Sequence, residues 1–140
     1  MFPVCRGLAR PYRATAYRAR VAGRWLELRL GRRTAGTDAA LSRHRVRCAA
    51  FVTACNPLGR RASDAANLRA LARLRATLRR CGLALAEGEG RSDDGSWPAE
   101  PSLLVFGTRR PLAAALGRRW RQNAVVFVRA RRPPELLALR

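Results

Sequence analysis

Five of the chain's nine acidic residues, Glu87, Glu89, Asp93, Asp94 and Glu100, fall within one short span. In a chain of formal net charge +20, so local a concentration of carboxylates has three chemical uses. It can form an ion-paired network with arginine, hold a divalent cation, or supply a general base. A plain hydrophilic loop in which Asp94-Gly95 makes a turn would use the same residues. The Asp-x-Asp-x-Asp-Gly order of a calcium loop is absent, and no metal is expected. Glu89 and Glu100 stand as the candidates for a catalytic carboxylate.

Other groups are weaker. Gly88-Glu-Gly-Arg91 superficially resembles a phosphate-binding turn, but it is neither GxGxxG nor a Walker loop. A better anion site is the start of the helix expected after Ser63, where free N–H groups and the positive dipole end meet Arg60-Arg61. Ser63 and Asp64 can themselves satisfy those donors. His44 is the only histidine and has no nucleophile to activate. Cys55 sits at a strand end without a base, which favours a buried thiol. Trp97 is either a lid or a stacking platform. No cofactor is expected.

These residues must be positioned by an alternation of strands and helices. Thr15 to Val21 and Arg24 to Leu30 alternate polar and apolar residues around Ala22-Gly23, which predicts an antiparallel hairpin at a sheet edge. Thr37 or Asp38 is expected to cap a short helix reaching about Arg45. Cys48 to Ala54, Leu83 to Ala86, Ser102 to Phe106 and Ala124 to Val128 are short apolar runs, the pattern of strands buried on both faces. A long helix from Ser63 or Asp64 to about Arg80 carries Leu68, Leu71, Leu74, Leu78 and Cys81 as one stripe, with Gly82 as its stop. Asn67 falls inside that stripe, a polar group aimed inward. Glu87 to Pro101 is expected as a long loop, and Thr108 as the cap of a helix to about Arg121. Together these predict a single α/β domain over residues 12–128. Its mixed, mostly parallel central sheet is covered by helices. A flexible arm is expected over residues 1–11, and a tail or edge strand over 129–140.

The polar residues near the strand ends are Thr53, Asn56 and Arg61 after the first apolar strand, and Glu89 and Arg91 after the second. Glu100 and Ser102 open the third, and Gln122 and Asn123 precede the last. In open sheets ligands sit beyond the carboxyl ends of the strands. The last two pairs reach that rim only if their strands run antiparallel to their neighbours.

At 140 residues the chain can bury a core without disulfide or metal support. Its basic residues are all arginine, with no lysine and no isoleucine, a bias that GC-rich codons produce, so the charge alone does not imply a nucleic-acid partner. No apolar stretch approaches the roughly 20 residues of a membrane span. Scattered cysteines without a CxxC pair predict free thiols in a reducing, cytoplasmic setting.

Thr53-Ala-Cys-Asn-Pro57, Ser63-Asp-Ala-Ala-Asn67-Leu-Arg69, Gly88-Glu-Gly-Arg91, Glu100-Pro-Ser-Leu-Leu-Val105 and Arg121-Gln-Asn-Ala124, taken in order, resemble family 3293 of the bacterial domains of unknown function. The resemblance runs from about Thr15 to Val128. It implies attention to Asn56, Asn67, Arg69, Arg91, Glu100, Ser102, Gln122 and Asn123, and supplies no activity. The family pattern has an aromatic residue at Cys55 and an acidic one at Ala66, and the first departure argues further against a catalytic Cys55.

The expected function is binding of an anionic small molecule such as a nucleotide, with or without a reaction on it. Asn56, Arg61, Asn67, Arg91, Ser102, Gln122 and Asn123 would hold it, and Glu89 or Glu100 would serve as base. The alternatives are a basic nucleic-acid-binding accessory protein, which binding without sequence or structural preference would reduce to plain polyelectrolyte behaviour, and a structural domain without a ligand.

Overall fold

A computed structural model describes residues 11–140, so the arm expected over residues 1–11, apart from Pro11, lies outside the described residues. In chain order the elements are β1 (Thr15–Val21), β2 (Arg24–Leu28), α1 (Ala35–Arg43), β3 (Cys48–Val52), a 3-10 turn (Pro57–Gly59) and α2 (Asp64–Arg80). They continue with β4 (Leu85–Ser92), β5 (Glu100–Phe106), α3 (Arg110–Arg119), β6 (Ala124–Arg129) and β7 (Glu135–Ala138). The hairpin β1–β2 turns on Ala22 and Gly23, both at positive φ (52° and 77°), the geometry that matches a two-residue turn to the strand twist.

The seven strands form one sheet in the order β2-β1-β4-β5-β3-β6-β7, and every pairing is antiparallel. This corrects the mostly parallel sheet expected from the sequence. The crossover through α2 does return the chain parallel to itself, since β3 and β4 are each antiparallel to β5. However, β5 lies between them. In the same way β3 lies between β5 and β6, which α3 connects. The central four strands and two helices thus form a split β-α-β arrangement, widened by the hairpin on one side and by β7 on the other.

Both sheet faces are buried, which is why the central strands read as unbroken apolar runs. On one face Ala50, Val52, Leu103, Val105, Val125 and Phe127 pack against Leu71, Leu74 and Leu78 of α2 and Ala113 and Leu116 of α3. On the other, Ala49, Phe51, Leu104, Phe106, Val126 and Val128 meet Ala40 and Leu41 of α1 and Tyr17, Ala19 and Leu28 of the hairpin. The sheet curls strongly toward this second face into a half-barrel. Tyr17 and Phe51 lie three strands apart, about 14 Å on a flat sheet, yet their ring centroids are 5.3 Å apart. The Gly31 N–H, just past β2, even reaches the Pro134 carbonyl before β7 at 2.9 Å, joining regions beside opposite edges.

The expected loop over Glu87 to Pro101 is mostly strand. Glu87 to Ser92 continue β4, and Glu100 and Pro101 open β5, so only residues 93–99 connect them. The apparent phosphate-binding turn is therefore paired sheet: Gly88 lies opposite Ala19 and Ser102. A Cβ on Gly88 would stand 2.2 Å from the Arg18 carbonyl oxygen, so the glycine is required by close approach of β1. Two caps also differ. Thr34, not Thr37 or Asp38, caps α1 by accepting from the Thr37 N–H, while Asp38 binds Arg33 and the Arg131 N–H. Arg109 stands at the start of α3 without a side-chain cap, because the buried Thr108 hydroxyl donates to the Val105 carbonyl instead. Ser63 caps α2 as expected, accepting from the Ala66 N–H at 3.1 Å.

Candidate functional site

Because β5 and β6 run antiparallel to β3, their starts share a rim with its end. Glu100, Ser102, Gln122 and Asn123 therefore come to the same end of the sheet as Thr53 and Asn56. A cleft of about 280 Å³ opens there, and Asn56, Arg61, Asn67, Leu68, Trp97 and Glu100 are among its lining residues.

Asn56 organises this rim. It holds a left-handed conformation (φ 47°), one that asparagine tolerates better than most side chains. Its N–H donates to Asn67 Oδ1 at 2.9 Å, and its Oδ1 accepts from the Ala62 N–H and from Asn67 Nδ2, both at 3.0 Å. Backbone donors thus fix the orientation of both amides, so Asn56 Nδ2 must face outward. It donates to Glu100 Oε2 at 2.8 Å. Asn67 lies one turn into α2, and its place in the apolar stripe is what aims it at this loop.

Glu100 differs from the other carboxylates. Glu27, Asp38, Glu87, Glu89, Asp93 and Glu135 each pair with an arginine. Asp64 and Asp94 are exposed, Asp94 closing its turn by accepting from the Ser96 N–H. Glu100 is half-buried, and among the described residues no arginine lies within ion-pair distance. Its Oε1 accepts no hydrogen bond from a described residue. Its strand position puts it beside Gly90 and, beyond that glycine, Tyr17; burial chiefly, and the Glu100 charge after it, push the Tyr12 phenol above its ordinary value. Burial pushes the Glu100 carboxyl above its ordinary value, and the Asn56 hydrogen bond opposes this only in part.

The remaining expected site residues do not line the cleft. Glu89 faces Arg18 at 3.5 Å, with Arg91 3.8 Å away on the same outward side of β4. Ser102 is buried and donates to the Glu100 carbonyl. Gln122 and Asn123 sit behind the loop. Gln122 Nε2 donates to the Cys55 and Trp120 carbonyls. A side chain on Gly59 would meet the Asn123 amide at 3.2 Å. Arg69 is exposed on the outer face of α2. Cys55 is buried, and burial is the main cause that pushes its thiol up, which makes it a poor nucleophile. Cys48, Cys55 and Cys81 are free thiols, and Cys5 lies outside the described residues. His44 stacks on Phe106 at 3.7 Å and bonds the Ala40 carbonyl, a packing role.

Two members of the expected apolar stripe, Leu68 and Cys81, lie outside the core. Cys81 is exposed as the C-cap of α2, and Leu68 is 61% exposed where it lines the cleft. The adjacency of Leu68 to Asn67 was the available signal. Among the described residues no three His, Cys, Asp or Glu side chains cluster as a metal site. No described helix is long and apolar enough to cross a membrane.

A family of proteins of unknown function, DUF3293, matches residues 52–125, more than half of the chain. The chain belongs to the DUF3293 family. A comparison with curated proteins and one with solved structures each returned no match. The DUF3293 match opens at the last residue of β3 and closes within β6. It therefore contains Asn56, Arg61, Asn67, Trp97 and Glu100, together with the Gln122-Asn123 support, while the N-terminal hairpin and β7 lie outside it.

Proposed function

We propose that this DUF3293 chain is a small-molecule-binding domain, acting in a reducing compartment such as the cytoplasm, and that the rim cleft is its ligand site. The carrying observation is Glu100: a half-buried carboxylate that, among the described residues, bonds one amide and no arginine. Desolvating a carboxylate without a cation costs free energy, and such costs are tolerated where a ligand compensates them. Arg61, on the same cleft, supports an anionic group on the ligand. Glu100, whose carboxyl burial pushes above its ordinary value, would accept a hydrogen bond or act as acid or base.

Thermal denaturation against a panel of nucleotides and small anionic metabolites tests this. A true ligand at a hundredfold excess over its Kd adds about 2.7 kcal/mol to stability, and Glu100→Ala should abolish that gain. Absence of any shift across the panel would contradict the proposal and favour a purely structural network. The net charge of +20 supports a second reading, an accessory protein for nucleic acid, which a salt titration separates from the first.

A further inference from the structure

Two further observations meet at the same cleft. Four large apolar side chains are exposed among the described residues: Trp25, Leu68, Trp97 and Leu112. Two of them, Leu68 and Trp97, line this one cleft. The Trp97 backbone is clamped, its N–H donating to Ser92 Oγ at 3.1 Å and its carbonyl accepting from the same hydroxyl at 3.2 Å. An exposed indole on a tethered segment is suited to stacking against a flat ring.

The polar lining has a definite pattern. Ionised Glu100 offers accepting lone pairs on Oε1 and a remaining one on Oε2. Asn56 Nδ2 has spent one N–H on Glu100, and Asn67 Nδ2 has spent one on Asn56. Each amide therefore keeps a second N–H. The cleft presents two acceptor oxygens beside the two remaining amide N–H groups, and its complement is a flat edge carrying two donors beside a carbonyl oxygen, whose two lone pairs can take both.

Resting on the cleft being a ligand site, we propose that its ligand is a planar 2-amino-oxo heterocycle, as found in guanine or a pterin. The ring stacks on Trp97 with Leu68 nearby. Its ring N–H and amino group donate to Glu100, and its carbonyl oxygen accepts from the asparagine amides. Any phosphate lies toward Arg61. Adenine presents a different edge, with an acceptor where guanine has its ring N–H, and leaves the Glu100 carboxylate facing a lone pair.

The test follows the tryptophan indole N–H resonances by NMR while guanosine monophosphate, adenosine monophosphate or neopterin is added at physiological salt. The two nucleotides carry the same phosphate, so attraction to arginine cancels between them. Guanosine monophosphate or neopterin should shift the Trp97 resonance and bind at least about tenfold more tightly than adenosine monophosphate. Binding of only one of the two identifies the source of the ring. Glu100→Gln, which replaces one acceptor with a donor, should erase or reverse the preference. Equal binding of both nucleotides with the Trp97 resonance moving would overturn the ring assignment and leave the cleft as a ligand site. No movement of Trp97 with any probe would overturn the assignment outright. The cleft itself then stands or falls on the broader thermal panel.

Discussion

Asn56 Nδ2 donates to Glu100 Oε2 at 2.8 Å, and that amide is the only described side chain bonded to the carboxylate. A neutral amide relieves less of the burial cost than a guanidinium would. The loop after β3 and the start of β5 are thus joined by a contact that, among the described residues, engages only one oxygen of Glu100.

Glu100 should weaken the folded state at neutral pH. Its carboxyl lies above its ordinary value in the fold, so between the unfolded and folded values the native chain binds more protons than the unfolded one. Stability therefore falls as pH rises through that window and stays lower above it. Glu100→Gln removes the charge and keeps an oxygen for Asn56. It should raise stability at pH 7 by about 0.5–2 kcal/mol, with a smaller gain at pH 4, as read by urea denaturation. Destabilisation at pH 7 would mean that the ionised carboxylate has a stabilising partner.

Asn56→Ala should do the reverse. It strands the Ala62 N–H and the Asn67 amide and places alanine at a positive φ. A cost of about 1–3 kcal/mol is expected, and a loss under about 0.5 kcal/mol would show that the amide network is not what holds the rim.

Gly88 and Gly90 make a matched pair. A Cβ at Gly88 meets the Arg18 carbonyl at 2.2 Å, whereas at Gly90 the first contact is the Thr15 methyl at 3.7 Å. Gly88→Ala should cost about 1–3 kcal/mol or more, since backbone must move, and Gly90→Ala should be nearly neutral. Equal effects in thermal melts would contradict the β1–β4 register.

Much of this was legible in the residues. The apolar runs marked β3, β5 and β6, Ser63 and the leucine spacing marked α2, and Asn67 pointed at the rim. Strand direction was not legible: an unbroken apolar run reports burial on both faces and says nothing of the neighbour's polarity. Insertion of β5 between β3 and β4 is a long-range choice that no local pattern encodes. The extension of β4 was legible in principle, because Glu87-Gly-Glu-Gly-Arg91 alternates with a period of two, charges on one face and glycines on the other. Its glycines instead looked like a loop. The acidic cluster misled for a related reason. Strand alternation sends Glu87 and Glu89 to arginines, Glu87 to Arg75 at 2.6 Å, and leaves Glu100 as the one member of that cluster at the cleft, which Asp64 of α2 also lines.

Nucleic acid should bind as a polyelectrolyte. Affinity should fall steeply and linearly in log–log plots against salt, without preference between sequences. A sequence- or structure-dependent affinity that survives physiological salt would support the accessory-protein reading over the small-molecule one.

The most direct measurement is the carbon-detected NMR titration of the Glu100 side-chain carboxyl, alone and with guanosine monophosphate. An isolated carboxyl awaiting a donor edge should titrate above the ordinary glutamate value of about 4.3 and shift downward when the ligand is bound, since the ligand's N–H groups favour the charged form. A carboxyl that titrates at or below that value, unchanged by the ligand, would contradict the account.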